Sequence, residues 1–522
     1  MKLSRPTGDL SFLMRKDTPA PSGDCPVRTG SLGFDHMTST VSPVDAPVLE
    51  ALAALSERVR EDLAKIRYAT GNWSLTQDRD GEAVLDVAII GAGQGGITSC
   101  FGLRRQGVTN VQVFEKAAKG GEGPWVTFAR MITLRTPRHV TGPDLGIPSL
   151  TPQSWFEARY GAQAWEDLDK ISRHDWQAYL DWVRQTLDIP VVNDQELVHV
   201  GWDEGLLRLT FRNAAGQATV RLARRMVLAT GIDGGGTWHV PSFISETLPK
   251  SVYAHTHEDI DFEVLKGKRI GVLGAGASAF DNAATALEKG AGRVDLCLRR
   301  AKIPAINPYR WMENAGFLAH FSELPDLTRW RFMRQIYSLN QPPPQDTFWR
   351  CRRHENFAFH PGTPWTATRM DGDEIVVTTP QGEMRFDFLI IGTGFTIDLS
   401  QRPETRDFAS SVLLWRDHFT PPAEEDSALL GSHPYLGARF QFLPKDKADP
   451  KAPMLAAIYN FTFGAMPSMG LSGASISGMR FGVEKLARGI ARDLFVEDGD
   501  RHLASLLAYD TEELVSLDPP VL

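Results

Sequence analysis

One run, Val87-Ala88-Ile89-Ile90-Gly91-Ala92-Gly93-Gln94-Gly95-Gly96-Ile97, restricts the possible folds of this chain more than any other. Its apolar start reads as a short buried strand, and the glycines at 91, 93 and 96 fit G-x-G-x-x-G opening a helix through Leu103 and Arg104. The first glycine allows a tight turn, the second lets a pyrophosphate approach the backbone, and the third lets helix and strand pack closely. Free N–H groups and the positive dipole end of the helix then face the phosphate. A second apolar strand, Val111-Gln112-Val113-Phe114, ends in Glu115, whose carboxylate can accept hydrogen bonds from a ribose. Strand, glycines, helix, strand and terminal acid within one unit of about 30 residues specify dinucleotide binding.

A second unit begins at Arg269-Ile270-Gly271-Val272-Leu273-Gly274-Ala275-Gly276-Ala277-Ser278-Ala279. Here Ala279 takes the place of the third glycine, which the fingerprint tolerates. Its second strand, Val294 to Leu298, ends in Arg299-Arg300 rather than in an acid. The guanidinium fork suits a ribose 2′-phosphate that a carboxylate would repel. One unit therefore suits FAD and the other NADPH, with NADH left open as a second donor. The economical arrangement is an α/β fold of two Rossmann-like dinucleotide-binding domains, the NADP domain inserted in the FAD domain. The turns Ala229-Thr230-Gly231 and Gly392-Thr393-Gly394 are expected to mark the two crossings.

The expected divisions are an N-terminal extension over 1–84, a first FAD-binding part over 85–245, the NADP-binding domain over 246–384, and a second FAD-binding part with the C-terminal tail over 385–522. Residues 1 to about 45 are rich in Pro, Gly, Ser and Thr and read as a mobile arm or as upstream sequence, with Met37 an alternative start. From Ala46 to Tyr68, Leu49, Leu52, Leu55, Val59 and Leu63 recur at helical spacing. This amphipathic helix is expected to rest on the following domain or on a second subunit of a homodimer. A helix is also expected from Arg173 to Leu187, a small β layer from Val191 to Val220, and a hairpin turning at Pro380-Gln381-Gly382. Residues 303–364 look irregular, and the end from Tyr509 reads as a surface tail.

A net charge of −8 argues against nucleic acid or an anionic membrane as partner. No apolar run approaches the ~20 residues of a membrane helix, and no signal core precedes the first domain. Cys25, Cys100, Cys297 and Cys351 stand far apart, forming neither a CxxC pair nor a zinc spacing. The expectation is a cytoplasmic, metal-free protein acting on a small organic molecule.

The two fingerprints, Glu115, Gly120-Gly121 with Trp125, Ala229-Thr230-Gly231, Arg299-Arg300 and Gly392-Thr393-Gly394-Phe395 together resemble the class B flavoprotein monooxygenases. That family includes flavin-containing monooxygenases, Baeyer–Villiger monooxygenases and amine N-hydroxylases, and the resemblance spans roughly Leu85 to Asp493. It implies that NADPH reduces FAD, that O2 then forms a C4a-peroxyflavin, and that one oxygen atom enters an N, an S or a ketone of the substrate. His255 stands where Baeyer–Villiger enzymes end F-x-G-x-x-x-H, but Pro249 and Ser251 replace the Phe and Gly. Met131 to Pro137 resembles the T-L-R-x-P stretch of lysine and ornithine N-hydroxylases, making an amine N-hydroxylase of an amino-acid-like substrate the alternative. The N-terminal helix is similar to that of type II flavin-containing monooxygenases. Disulfide reductases share the layout but need a redox cysteine pair that this chain lacks; a non-catalytic flavin-binding protein is the remaining class.

The candidate cofactor residues are Gly91, Gly93, Gln94, Gly96, Glu115, Lys116, Trp125, Val198 and Thr230 for FAD, and Gly274, Gly276, Ser278, Ala279, Arg299, Arg300, Thr393 and Gly394 around NADPH and the crossing. An arginine beside the flavin would stabilise an anionic oxidant, so Arg135, Arg138 and Arg310 are catalytic candidates, each also explicable as a surface or phosphate-pairing group. Asn307 is a candidate donor to the nicotinamide or the oxidant, and Asn460 another; helix capping explains such asparagines equally well. Ser472-Gly473-Ala474-Ser475 is expected before a helix whose N–H groups face the flavin.

Overall fold

In the computed structural model, residues 45–68, 71–79, 81–473, 475–514 and 516 are described. The arm expected over residues 1–45 lies outside them except for Asp45, as do Cys25, Met37 and Ala474. The first strand meets its partners early: β1 (Gln77–Arg79) pairs antiparallel with the fingerprint strand β2 (Glu82–Ile90). Next come β3 (Val111–Phe114), β4 (Val191–Val192), β5 (Glu196–Asp203), β6 (Leu206–Arg212) and β7 (Ala218–Leu228). The sheet order is β4-β3-β2-β7-β6-β5, with β2 parallel to both β3 and β7. Val87, Ala88 and Ile89 are fully buried, as a strand covered on both faces requires. The antiparallel β5–β6–β7 run is the β layer expected between Val191 and Val220. Phe114 stacks on Phe211 at 4.2 Å between centroids.

A short strand, β8 (Gly236–Trp238), precedes a second sheet built from β9 (Tyr253–His255), β10 (Arg269–Leu273), β11 (Arg293–Leu298) and β12 (Phe357–Pro361). The hairpin strands β13 (Ala367–Asp371), β14 (Glu374–Thr379) and β15 (Gly382–Phe386) follow as an antiparallel layer. Then β16 (Phe388–Ile391) enters the second sheet, whose order is β12-β11-β10-β16-β9, all parallel. The division expected at 384/385 is therefore displaced: β16 hydrogen-bonds to β10 and β9, so the second unit runs to Ile391. After it, β17 (Phe395–Ile397) pairs with β8, and β18 (Ile458–Asn460) returns to the first sheet beside β7. The second unit is thus inserted in the first, and the β8–β17 ribbon holds the two crossings together.

The N-terminal helix α1 (Ala46–Lys65) packs on its own chain. Ser56 Oγ lies 3.0 Å from Thr186 Oγ1 and accepts from Trp182 Nε1 at 2.9 Å, while Ser149 Oγ donates to Asp62 at 2.7 Å. Val59 and Leu63 are buried, whereas Leu49, expected on the same face, is exposed. The stretch 303–364 contains the helices Pro308–Met312, Asp326–Leu339 and Gln345–Arg352. Prolines begin all three: Pro308 is at the first turn, and Pro325 and Pro344 are N-caps. No helix among the described residues is long and apolar enough to cross a membrane.

Candidate functional site

The first fingerprint turn has the geometry its glycines require. Gly91 has φ +103°, and a Cβ there would sit 2.6 Å from the Ala229 carbonyl oxygen. A Cβ on Gly96 would overlap the Gly91 carbonyl. Gly93 differs: the nearest atom to a Cβ is Gly123 Cα at 3.9 Å, so its missing side chain leaves open space. It is the N-cap of helix α2 (Gln94–Arg105) and provides no side-chain cap, so the first-turn N–H groups face that space. Glu115 is buried and accepts from Ala92 N–H at 2.8 Å and Ala117 N–H at 2.9 Å, one on each oxygen. Each oxygen keeps a lone pair for a ribose hydroxyl.

Around this turn, Thr230 Oγ1, Trp125 Nε1 and Asn460 Nδ2 are buried without a protein partner. Unpaired buried donors of this kind are costly unless a ligand satisfies them. Asn460 Oδ1 accepts from Thr462 Oγ1 at 2.7 Å, which directs its amide nitrogen away from Thr462. Gln94 Oε1 accepts from Trp176 Nε1 at 3.2 Å, Lys116 is exposed, and the Trp125 carbonyl accepts from Arg173. Val198 is half-buried in β5, and its carbonyl accepts from Arg406 at 3.1 Å. Ser475 caps the helix Ile476–Glu497, while Gly473 meets the start of α2: its carbonyl would lie 3.0 Å from a Cβ on Gly95.

The second turn repeats the design with one exchange. Gly274 has φ +117°, and a Cβ on Gly276 would meet nothing within 4 Å. The Ala279 methyl is accommodated because Gly392 faces it; a Cβ on Gly392 would lie 2.7 Å from that methyl. Gly276 caps the helix Ala277–Glu288 without a side-chain hydrogen bond, and the Ser278 side chain is exposed in its first turn. At the end of β11, Arg299 is exposed and has no partner among the described residues, whereas Arg300 donates to the Ser338 carbonyl at 3.4 Å. At the crossing, Thr393 Oγ1 donates to the His239 carbonyl, and Gly394 takes φ +77° while accepting from His239 N–H at 2.9 Å.

Two of the four catalytic candidates come together. Arg135 Nη2 donates to Asp281 Oδ2 at 3.1 Å, and Arg310 Nη2 donates to the Arg135 carbonyl at 3.1 Å. Arg138 instead donates to the Trp165 and Glu166 carbonyls and lies over the Trp165 ring at 5.4 Å, a structural setting. Asn307 caps the helix Pro308–Met312 by accepting Tyr309 N–H at 3.1 Å. Sequence reasoning missed Asp281, which also accepts from Thr347 Oγ1 at 3.1 Å and lies 3.6 Å from Arg350. Burial pushes its pKa up, against the pull of Arg135. A carboxylate on the apolar face of a fingerprint helix was the available signal; its arginine partner is 146 positions away.

An aromatic cluster lines the crossing. Trp238 stacks on His257 at 4.6 Å and 10°, Phe128 meets both edge-on, and His255 Nδ1 lies 2.8 Å from His257 Nδ1. His255 is fully buried, and that burial, with His257 beside it, lowers its pKa to about 4, so it is neutral at pH 7.

Two family models match the chain: one described as L-lysine 6-monooxygenase/L-ornithine 5-monooxygenase over residues 164–341, and one described as FAD-NAD(P)-binding over residues 88–233. A FAD-dependent urate hydroxylase of Xanthomonas campestris pv. campestris is 42% identical over 471 residues, covering 90% of this chain and 98% of that protein. The chain belongs to the FAD-dependent flavoprotein monooxygenases. A Baeyer–Villiger monooxygenase of Streptomyces coelicolor is 29% identical to this monooxygenase over 196 residues, 37% of this chain and 34% of the relative. Among solved structures, the reduced ornithine hydroxylase of Pseudomonas aeruginosa superposes with TM-score 0.62 at 18% identity, covering 79% of this chain and all of that one. The L-lysine 6-monooxygenase of Pseudomonas syringae gives TM-score 0.59 at 18% identity, over 78% and 99%. At such identities the likeness is one of fold. The monooxygenase uses FAD and NAD(P)H, and the open Gly93 cradle with its unpaired buried donors fits the flavin nucleotide.

Proposed function

We propose that this monooxygenase hydroxylates urate or a closely similar oxidised purine, using NADPH and O2. The observation that carries the reading is the 42% identity to a urate hydroxylase, sustained over 98% of that protein's length. In the balanced reaction, substrate, O2, NADPH and a proton give the oxygenated product, NADP+ and water. FAD, held at the Gly91-Gly93-Gly96 turn and Glu115, would supply the hydride acceptor and the activation of O2.

The roles we assign follow the two units. Residues 85–245 and those after Ile391 hold FAD: Gly91, Gly93 and Gly96 at the pyrophosphate, Glu115 at the ribose, and Thr230, Trp125 and Asn460 as donors toward the nucleotide. Residues 246–391 hold NADPH, with Gly274 and Gly276 at its pyrophosphate and Arg299 at the 2′-phosphate. Arg135 and Arg310 stand where the units meet. The amine N-hydroxylase reading keeps one support, the match of residues 164–341 to the lysine and ornithine monooxygenase model.

The test is aerobic turnover with urate, L-ornithine and L-lysine as separate substrates under 18O2, read by mass spectrometry of the products. One 18O atom in the urate product is the expected result. Labelled hydroxylamine from either amino acid, with urate untouched, refutes the urate reading in favour of the alternative. NADPH consumption yielding only H2O2 with all three refutes both.

A further inference from the structure

A cavity of about 180 Å³ opens between the segment Met131–Arg135 and the helix Gln345–Arg352, which belong to different dinucleotide units. Met131, Ile132, Leu134 and Pro344 give it apolar walls, and its charged lining is three arginines, Arg135, Arg350 and Arg353, against one carboxylate, Asp346. Their commitments differ. Arg350 is spent: its Nε and Nη2 each donate to Glu288 at 2.8 Å. Arg135 gives Nη2 to Asp281, but its buried Nε has no partner. Asp346 faces Lys170 at 3.5 Å. Arg353 is exposed, and its side chain makes no hydrogen bond or ion pair among the described residues.

An uncommitted guanidinium at the rim of an apolar slot suits a flat anion bearing oxo groups: the fork pairs with two acceptors while the ring lies against the walls. Resting on the reading above, we propose that this cavity is the recognition site for the anionic oxidised-purine substrate, with Arg353 as its charge-pairing residue. Urate is planar, oxo-substituted and singly negative at neutral pH, so it presents what the cavity lacks. The nucleotide donor does not need this site, since Arg299 at the end of β11 already offers a free cation for its 2′-phosphate.

The test is equilibrium binding of urate to the FAD-loaded oxidised enzyme, without NADPH, for wild type, Arg353→Ala and Arg353→Lys. The alanine variant should weaken urate binding by about tenfold or more and the lysine variant by less, as expected for loss of a charge-assisted pair and its partial replacement. KM for NADPH, measured by flavin reduction without urate, should not change. Unaltered urate affinity in Arg353→Ala, or a shift in KM for NADPH instead, overturns the proposal. Wild type that binds urate through Arg353 but yields no oxygenated product supports the anion site and refutes the hydroxylase reading. Oxygenation of urate with Arg353→Ala unimpaired does the reverse. Wild type that neither binds nor oxygenates urate overturns both.

Discussion

Replacing Gly93 and Gly96 by alanine separates holding the fold from holding FAD. At Gly93 the backbone has φ −68° and ψ −175°, which alanine adopts without strain, and the new methyl would lie no closer than 3.9 Å to any protein atom. The apoprotein should therefore be unharmed, or stabilised by about 0.4–1 kcal/mol through loss of unfolded-chain freedom. The same methyl points into the space assigned to the pyrophosphate. Displacing the phosphate from two first-turn N–H groups forfeits about 1.5–3 kcal/mol for each charge-assisted bond. The total of about 3–6 kcal/mol corresponds to roughly a hundred- to ten-thousandfold weaker FAD binding. At Gly96 the methyl would overlap the Gly91 carbonyl, whose carbon lies 2.9 Å away, so turn and helix must separate. Overpacking of that kind costs on the order of 3 kcal/mol in the apoprotein itself.

Two measurements check the pair: urea unfolding of the apoprotein, and FAD titration followed by flavin fluorescence quenching. Gly93→Ala should keep the wild-type urea midpoint and lose FAD affinity. Gly96→Ala should lower the midpoint before cofactor is added. If Gly93→Ala binds FAD as tightly as wild type, the pyrophosphate does not rest on this turn, and the assignment of the first unit to FAD is wrong.

Three further expectations follow from particular contacts. Arg299→Ala should raise KM for NADPH about tenfold with little change for NADH, and Arg300→Ala should do less because its fork already holds the Ser338 carbonyl; equal effects on both donors would remove the 2′-phosphate role. Arg224 is buried among Asp86 at 3.4 Å, Glu497 at 3.0 Å and Asp498 at 2.8 Å, so Arg224→Met should cost about 3–5 kcal/mol in urea unfolding, and a loss below about 1 kcal/mol would contradict a buried charge network. Burial lowers the pKa of His433 to about 4, against about 6.5 unfolded, so the unfolded chain binds the extra proton and stability falls as pH drops through this window, by on the order of 3 kcal/mol. His433→Gln should flatten that part of the stability–pH curve, and an unchanged slope would assign it to other groups.

Both dinucleotide turns were legible in the sequence because their determinants are local. Glycine at 91 and 93, strand before and helix after, and an acid at the end of the next strand all fall within one short unit. The tolerance of Ala279 was readable as a rule but not as a mechanism, since the compensating glycine, Gly392, lies 113 positions on and meets it only across the second sheet. Residues 303–364 looked irregular because proline marks both loops and helix starts. Pro308, Pro325 and Pro344 fill positions that need no hydrogen-bonded N–H, and the helices run on from them. The domain division was displaced by a likeness between two strands: Phe388-Leu389-Ile390-Ile391 ends in a Thr-Gly turn as Met226-Val227-Leu228 does, yet one closes the second sheet and the other supports the first. Composition gives each a buried parallel strand and cannot say which sheet receives it.

The same division explains why cofactor and substrate are unequally readable. Each cofactor turn is made by backbone from one continuous segment, so a motif describes it. The junction between the units is made by side chains brought from afar: Arg135 from the first unit, Asp281 and Arg350 from two helices of the second, and Thr347 beside them. No pair of these is close in sequence except Thr347 and Arg350, so no local pattern announces the cluster. Because Asp281 is buried and accepts from both Arg135 and Thr347, losing Arg135 would leave its carboxylate with Thr347 and the more distant Arg350, at 3.6 Å, as well as remove a cation from the cavity lining. Arg135 thus couples how the units meet to what the cavity can hold. Arg353, at the rim and free of ion pairs, is the position where substrate preference can change without disturbing that junction.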